Sequence, residues 1–109
     1  MTLKQAAKSK RASPPREFTR TQAFKKDWNR LVYSGRYDMT QLKKVMLLLI
    51  ENAEPLGPEW RDHALSGNWA NYRECHIGGD FLLIYKVDES HSDQRIIFVR
   101  TGTHAELFG

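Results

Sequence analysis

The side chains able to move protons or grip a phosphate are spread thinly along this chain. Four histidines stand at positions 63, 76, 91 and 104, and Cys75 is the only cysteine. One chemistry open to such a set is metal binding. Zinc sites ordinarily show at least one pair of ligands about two to five residues apart. Here the nearest histidine pairs, His63 with His76 and His91 with His104, are 13 residues apart. Cys75 and His76 are adjacent, and neighbours in a strand point to opposite faces. The pattern argues for no metal and no cofactor. The other chemistry is acid–base catalysis, and cleaving RNA needs nothing more. A base takes the proton from a ribose 2′-hydroxyl, whose oxygen attacks the adjacent phosphorus. An acid protonates the departing 5′-oxygen, and a cation steadies the extra negative charge. Histidine, with an unperturbed pKa of ~6.5, can serve as donor or acceptor near neutrality. Arginine's planar fork suits the phosphate.

The candidates fall at the ends of segments that read as strands. His76 closes one strand and Asp80 opens the next across Gly78-Gly79. Arg100 ends a later strand, and His104 follows the turn Thr101-Gly102-Thr103. Each has an ordinary explanation when taken singly: a surface hydrogen bond, a turn residue, a salt bridge. Whether these ends meet depends on strand order, which the chain pattern leaves open. Cys75 reads as a small buried hydrophobe.

The elements that must position these residues are legible as pattern. Phe24, Trp28, Leu31 and Val32 recur at helical spacing between Thr21 and Ser34, with Ser34-Gly35 as the stop. Asp38 is a suitable cap for a second helix, Met39 to Asn52, whose Leu42, Val45, Met46, Leu49 and Ile50 repeat the pattern. The two predict a helical hairpin with one apolar side to bury. Residues 53–68 hold two prolines and two glycines, the composition of an irregular connection. Arg16 to Thr19 allows a short strand. Trp69 to Ile77, Phe81 to Val87 and Arg95 to Thr101 are rich in aromatic and β-branched residues and read as strands joined by hairpin links. FLLIYKV and IIFV are apolar at successive positions, as central strands are. The expected fold is α+β: a small antiparallel β-sheet packed against the N-terminal helical hairpin.

Charge is placed unevenly. The chain of 109 residues carries a net +4, and residues 1–15 hold Lys4, Lys8, Lys10 and Arg11 with no acid. That leaves 13 basic and 13 acidic side chains in residues 16–109. Residues 1–15 therefore read as a flexible basic extension, either a solvated tail or an arm that touches nucleic acid. Residues 16–109 read as one domain whose contact with a polyanion must come from local placement. No apolar run approaches the ~20 residues of a membrane span, and the N-terminus lacks the apolar stretch of a secretory signal. One cysteine excludes an internal disulfide, and the cytoplasm is the expected compartment.

From about Arg16 to Gly109 the chain resembles the YafQ branch of the RelE-like toxins, the toxin halves of bacterial toxin–antitoxin pairs. The stretches that carry the likeness are DHALSGNW (62–69), YRECHI (72–77), DFLLIYK (80–86) and above all RTGTHAELFG (100–109). The resemblance implies the RelE-like fold and a metal-independent endoribonuclease that cuts messenger RNA in the ribosomal A site, so inhibiting translation. It implies a cognate, DinJ-like antitoxin, the 70S ribosome with its mRNA as target, operator DNA reached only through the antitoxin complex, and no membrane. It also assigns residues. His63, His76, Asp80, Arg100 and His104 match the family's active-site set, and Phe108 matches the aromatic of the terminal motif. On that likeness Arg100 neutralises the scissile phosphate and His104 with His76 forms the proton-transfer pair. Asp80 orients or charges a histidine, and Phe108 stacks on a base or seats the tail. His63 binds RNA, shares in proton transfer or positions the others. Phe81 stands where the family often has tryptophan and is expected to stack on substrate. Thr101 and Thr103 fix the turn, and His91 is bystander surface. Gly78-Gly79 departs from the family pattern and loosens the expected placing of Asp80. A rival expectation is a catalytically weak homologue that mainly binds antitoxin in operon autorepression.

Overall fold

The computed structural model describes residues 15–90 and 94–109. The expected extension, apart from Pro15, and the position of His91 lie outside the described residues. The first strand, β1 (Glu17–Arg20), leads into helix α1 (Gln22–Ser34). The Thr21 hydroxyl accepts from the Phe24 N–H at 3.0 Å and donates to the Val99 carbonyl at 2.7 Å. One side chain thus starts the helix and ties it to the last strand. Gly35 closes α1 at φ 67°, and no atom lies within 4 Å of where its Cβ would sit. Left-handed backbone, not lack of room, is what favours glycine there. Helix α2 (Met39–Glu51) begins at Asp38, whose carboxylate accepts from the Gln41 N–H at 3.0 Å, and ends at Asn52 with φ 52°.

The remainder is β2 (His63–Ala64), β3 (Arg73–Gly78), β4 (Phe81–Asp88), β5 (Arg95–Gly102) and helix α3 (His104–Phe108). The five strands form one sheet in the order β1-β5-β4-β3-β2. β2 to β5 pair antiparallel with their neighbours, whereas β1 runs parallel to β5, Glu17 opposite Arg95 and Arg20 opposite Phe98. The sheet is therefore mixed rather than purely antiparallel. Residues 21–94 separate β1 from β5, so a parallel pairing has the long connection it requires.

Three local expectations change. The irregular stretch 53–68 contains a tight 3-10 turn (Pro58–Trp60) and the edge strand β2. The strand expected from Trp69 starts at Arg73, because Gly67–Trp69 forms another 3-10 turn and Asn71 sits at φ 78°. The turn expected at Thr101-Gly102-Thr103 is instead the end of β5, which runs to Gly102, and Thr103 caps the short helix α3 in a reciprocal box with Glu106.

Both sheet faces are covered, which is why β4 is apolar at consecutive positions. Toward α1 and α2, the residues Phe24, Leu42, Cys75, Leu83 and Phe98 are fully buried. On the opposite face Leu82 and Ile84 pack with Leu107 of α3 and with Leu65, Trp69, Tyr72 and Val99. Alternation along β3 follows from this. Cys75 and Ile77 join the helix-side core, which leaves Glu74 and His76 to the other side.

Candidate active site

Three imidazoles stand in a row. The ring of His76 lies 6.1 Å from that of His63 and 6.1 Å from that of His104, and His104 lies 6.0 Å from the ring of Phe108. Residues that span 46 positions of sequence meet because β2 pairs with β3, β3 with β4 and β4 with β5, and α3 folds back on β5.

The first ring comes from the edge strand. His63 is opposite Glu74 in the register. Its Nδ1 is 2.9 Å from the Arg61 carbonyl, a pure acceptor, so Nδ1 carries the hydrogen and Nε2 faces the site. The second ring, His76, is largely buried, and its Nδ1 has no hydrogen-bond partner among the described residues. Between them sits Glu74, 4% exposed, whose Oε1 is 3.4 Å from His63 Nε2 and 3.5 Å from His76 Nε2. Burying an acid without charge or hydrogen-bond compensation is costly, so Glu74 belongs with the imidazoles that face it.

The third ring opens α3. His104 Nδ1 and the His104 backbone N–H both meet Asp80 Oδ1, at 2.5 and 3.0 Å. The carboxylate therefore orients His104 by its Nδ1 and leaves Nε2 as the nitrogen that can exchange a proton. The bond from the His104 backbone, then that from its side chain, lower the Asp80 pKa below its ordinary value. Asp80 was expected across the glycine turn from His76, orienting or charging a histidine; its hydrogen bonds go to His104, and His76 acts on it by charge alone.

Arg100 is not an open cation. Its Nε and Nη2 donate to Asp27 of α1 at 2.7 and 3.1 Å, and 29% of its side chain is exposed. Phe81 is displaced further from expectation. It is 5% exposed, and its ring packs 5.1 Å from Tyr37 in the helix-side core. Alternation along β4 sends Phe81 to the same side as Leu83 and Tyr85, away from His76, so it presents no face to substrate. Phe108 is 42% exposed and meets Trp69 edge-on at 5.6 Å.

Glu74 and Asp27 were missed in the sequence, and both left a trace. Glu74 lies two residues before His76, the spacing that puts both on one strand face. Asp27 stands inside the apolar stripe of α1, three residues after Phe24 and four before Leu31, where a charge needs a partner. The same geometry gives the one group of possible metal ligands found among the described residues. Ligand atoms of His63, Glu74 and His76 lie within 4.8 Å of one another, although no two histidines are close in sequence. A cavity of roughly 730 Å³, lined by Arg16, Leu49, Pro58, Arg73 and Tyr85 among others, includes none of these imidazoles.

Comparison with known proteins identifies the family and the fold. The family described as the bacterial toxin of type II toxin–antitoxin system, YafQ, matches residues 16–109. The mRNA interferase toxin YafQ of Escherichia coli B/BL21-DE3 is 44% identical, over 79% of this chain and 88% of its own. The crystal structure of YafQ from E. coli strain BL21(DE3) superposes with a TM-score of 0.76 at 39% identity, covering 86% of this chain and 99% of that one. The crystal structure of the E. coli DinJ–YafQ complex matches with a TM-score of 0.74 at 40% identity, again over 86% and 99%. The imidazole row and the sheet that assembles it therefore sit in a chain that belongs to the YafQ family of type II toxin–antitoxin toxins.

Proposed function

We propose that this protein is a ribosome-dependent, metal-independent endoribonuclease that cuts messenger RNA in the A site and is held inactive by a DinJ-like antitoxin. The observation that carries the reading is the row His63–His76–His104, flanked by Glu74 and Asp80. Two imidazoles about 6 Å apart can address the two sides of one phosphodiester, one at the 2′-hydroxyl and one at the 5′-oxygen. His104, oriented by Asp80, and His76, beside Glu74, form the proton-transfer pair. His63 completes the cluster from the edge strand. Attack by the 2′-oxygen yields a 2′,3′-cyclic phosphate and a free 5′-hydroxyl, so DNA does not react. Arg100, paired with Asp27, directs an N–H donor at the pentavalent phosphorane, and Phe108 offers an exposed ring for a base.

The imidazole row is supplied by strand ends and a terminal helix rather than by the cavity, which suits a macromolecular substrate brought by the ribosome. The bound antitoxin and the pair's action on its own operator follow from the same reading. Primer extension on a defined message, with and without translating ribosomes, tests it. Cuts are expected only during translation and within codons at the decoding site. Equal cutting of naked RNA would overturn ribosome dependence, and no cutting in either arm would favour a toxin homologue that acts by binding antitoxin.

A further inference from the structure

Asp27 is a carboxylate at the centre of a helix–sheet interface, 2% exposed, and its side-chain bonds go to Arg30, Arg100 and the Thr101 N–H. Oδ2 accepts from Arg100 Nε at 2.7 Å and from the Thr101 N–H at 3.1 Å. Oδ1 accepts from Arg100 Nη2 at 3.1 Å and from Arg30 Nη1 at 2.9 Å. Four donors on two oxygens compensate a buried carboxylate well. The chain of contacts continues. Arg30 Nε is 3.1 Å from Glu106, and Glu106 accepts the Thr103 N–H at 2.8 Å to cap the helix that begins with His104.

We propose that Asp27 is a positioning residue for phosphate stabilisation: it grips Arg100 by two of its nitrogens and leaves Nη1 as the donor offered to the scissile phosphate. Nη1 has no hydrogen bond among the described residues. A free arginine at a strand end carries about 2 kcal/mol of rotamer entropy, and a planar guanidinium held along one edge keeps the other edge at a fixed angle. The opposed charges of Asp27, Arg30, Arg100 and Glu106 cancel. What this cluster gives the phosphate is therefore direction more than net attraction. The inference rests on the role assigned to Arg100 in the proposed reaction.

A double-mutant cycle on single-turnover cleavage of ribosome-bound message tests it. Asp27→Asn keeps the shape but turns an acceptor into a donor against Arg100, Arg30 or Thr101. A loss on the order of 10²-fold is expected, the size a small misplacement can produce, with substrate half-saturation changing much less. In an Arg100→Ala background, Asp27→Asn should add less than about a twofold further loss, because Asp27 acts through Arg100. Multiplying losses would overturn the proposal, as would full activity of Asp27→Asn. Arg100→Lys guards against misfolding of the Asp27 variant. It keeps the charge but cannot be gripped along one edge, so it should lose nearly as much as Arg100→Ala. A lysine variant at more than half the wild-type rate would also overturn the proposal. Failure of the functional reading looks different: the wild-type chain would not cut at all, or Arg100→Ala would cut at full rate.

Discussion

His104→Ala removes the imidazole that Asp80 orients without opening the core, since 53% of that side chain is exposed. Cleavage is expected to fall by about 10²- to 10⁴-fold, measured by primer extension, while the thermal melt stays close to wild type. His63, Glu74 and His76 can gather a transition-metal ion, yet the proposed chemistry uses their free lone pairs. Protein stripped by a chelator should therefore cut ribosome-bound message at an undiminished rate. Added zinc should slow it by occupying those nitrogens, and a requirement for zinc in the same assay would contradict the acid–base mechanism. At this scale the residue types were readable and their pairings were not. Asp80 was in view, but its bonds go to a histidine 24 positions away. Glu74 carries no sequence mark of its own, since a lone glutamate in a strand is ordinarily solvent-facing; only strand alternation places it beside His76.

The element that carries His104 depends on Gly102. That residue sits at φ 152°, and a Cβ there would lie 2.6 Å from Glu106 Oε1 and 3.0 Å from Arg30 Nη2. Gly102→Ala is expected to cost about 1–3 kcal/mol in urea unfolding and to disturb the capping of α3. Cleavage should drop more than stability alone accounts for. Phe81→Ala separates packing from substrate contact. With Phe81 buried against Tyr37, the expected loss is about 3–5 kcal/mol of stability, seen as a lower denaturant midpoint. An exposed stacking residue would instead weaken RNA engagement and leave the midpoint unchanged. Helix bounds were legible because Thr21, Gly35 and Asp38 act locally as caps and stop. Helix α3 was harder, being only five residues long, though Thr103 and Glu106 stand at capping-box spacing.

Across the whole molecule, Asp27 links pH to stability. Burial opposes its charged form, but the bonds from Arg100, Arg30 and the Thr101 N–H prevail and hold its pKa below the ordinary value. In the unfolded chain an aspartate titrates near ~3.9. The folded state thus takes up the proton less readily, and the contribution is present above that pH and lost as pH falls through the folded value. The melting temperature of wild type should exceed that of Asp27→Asn between about pH 5 and 7, and the gap should narrow below about pH 4. A constant gap across that range would show that the charge contributes nothing. Sequence by itself determined the α+β content, the helix caps, the apolar strands and the supply of histidines, because propensity, capping and periodicity act over a few residues. Only the tertiary structure decided that β1 lies parallel to β5, that Asp80 serves His104, that Phe81 turns inward and that Asp27 holds Arg100. These are contacts between distant segments, fixed by which strands pair and which faces the helices cover, and no local pattern encodes that choice.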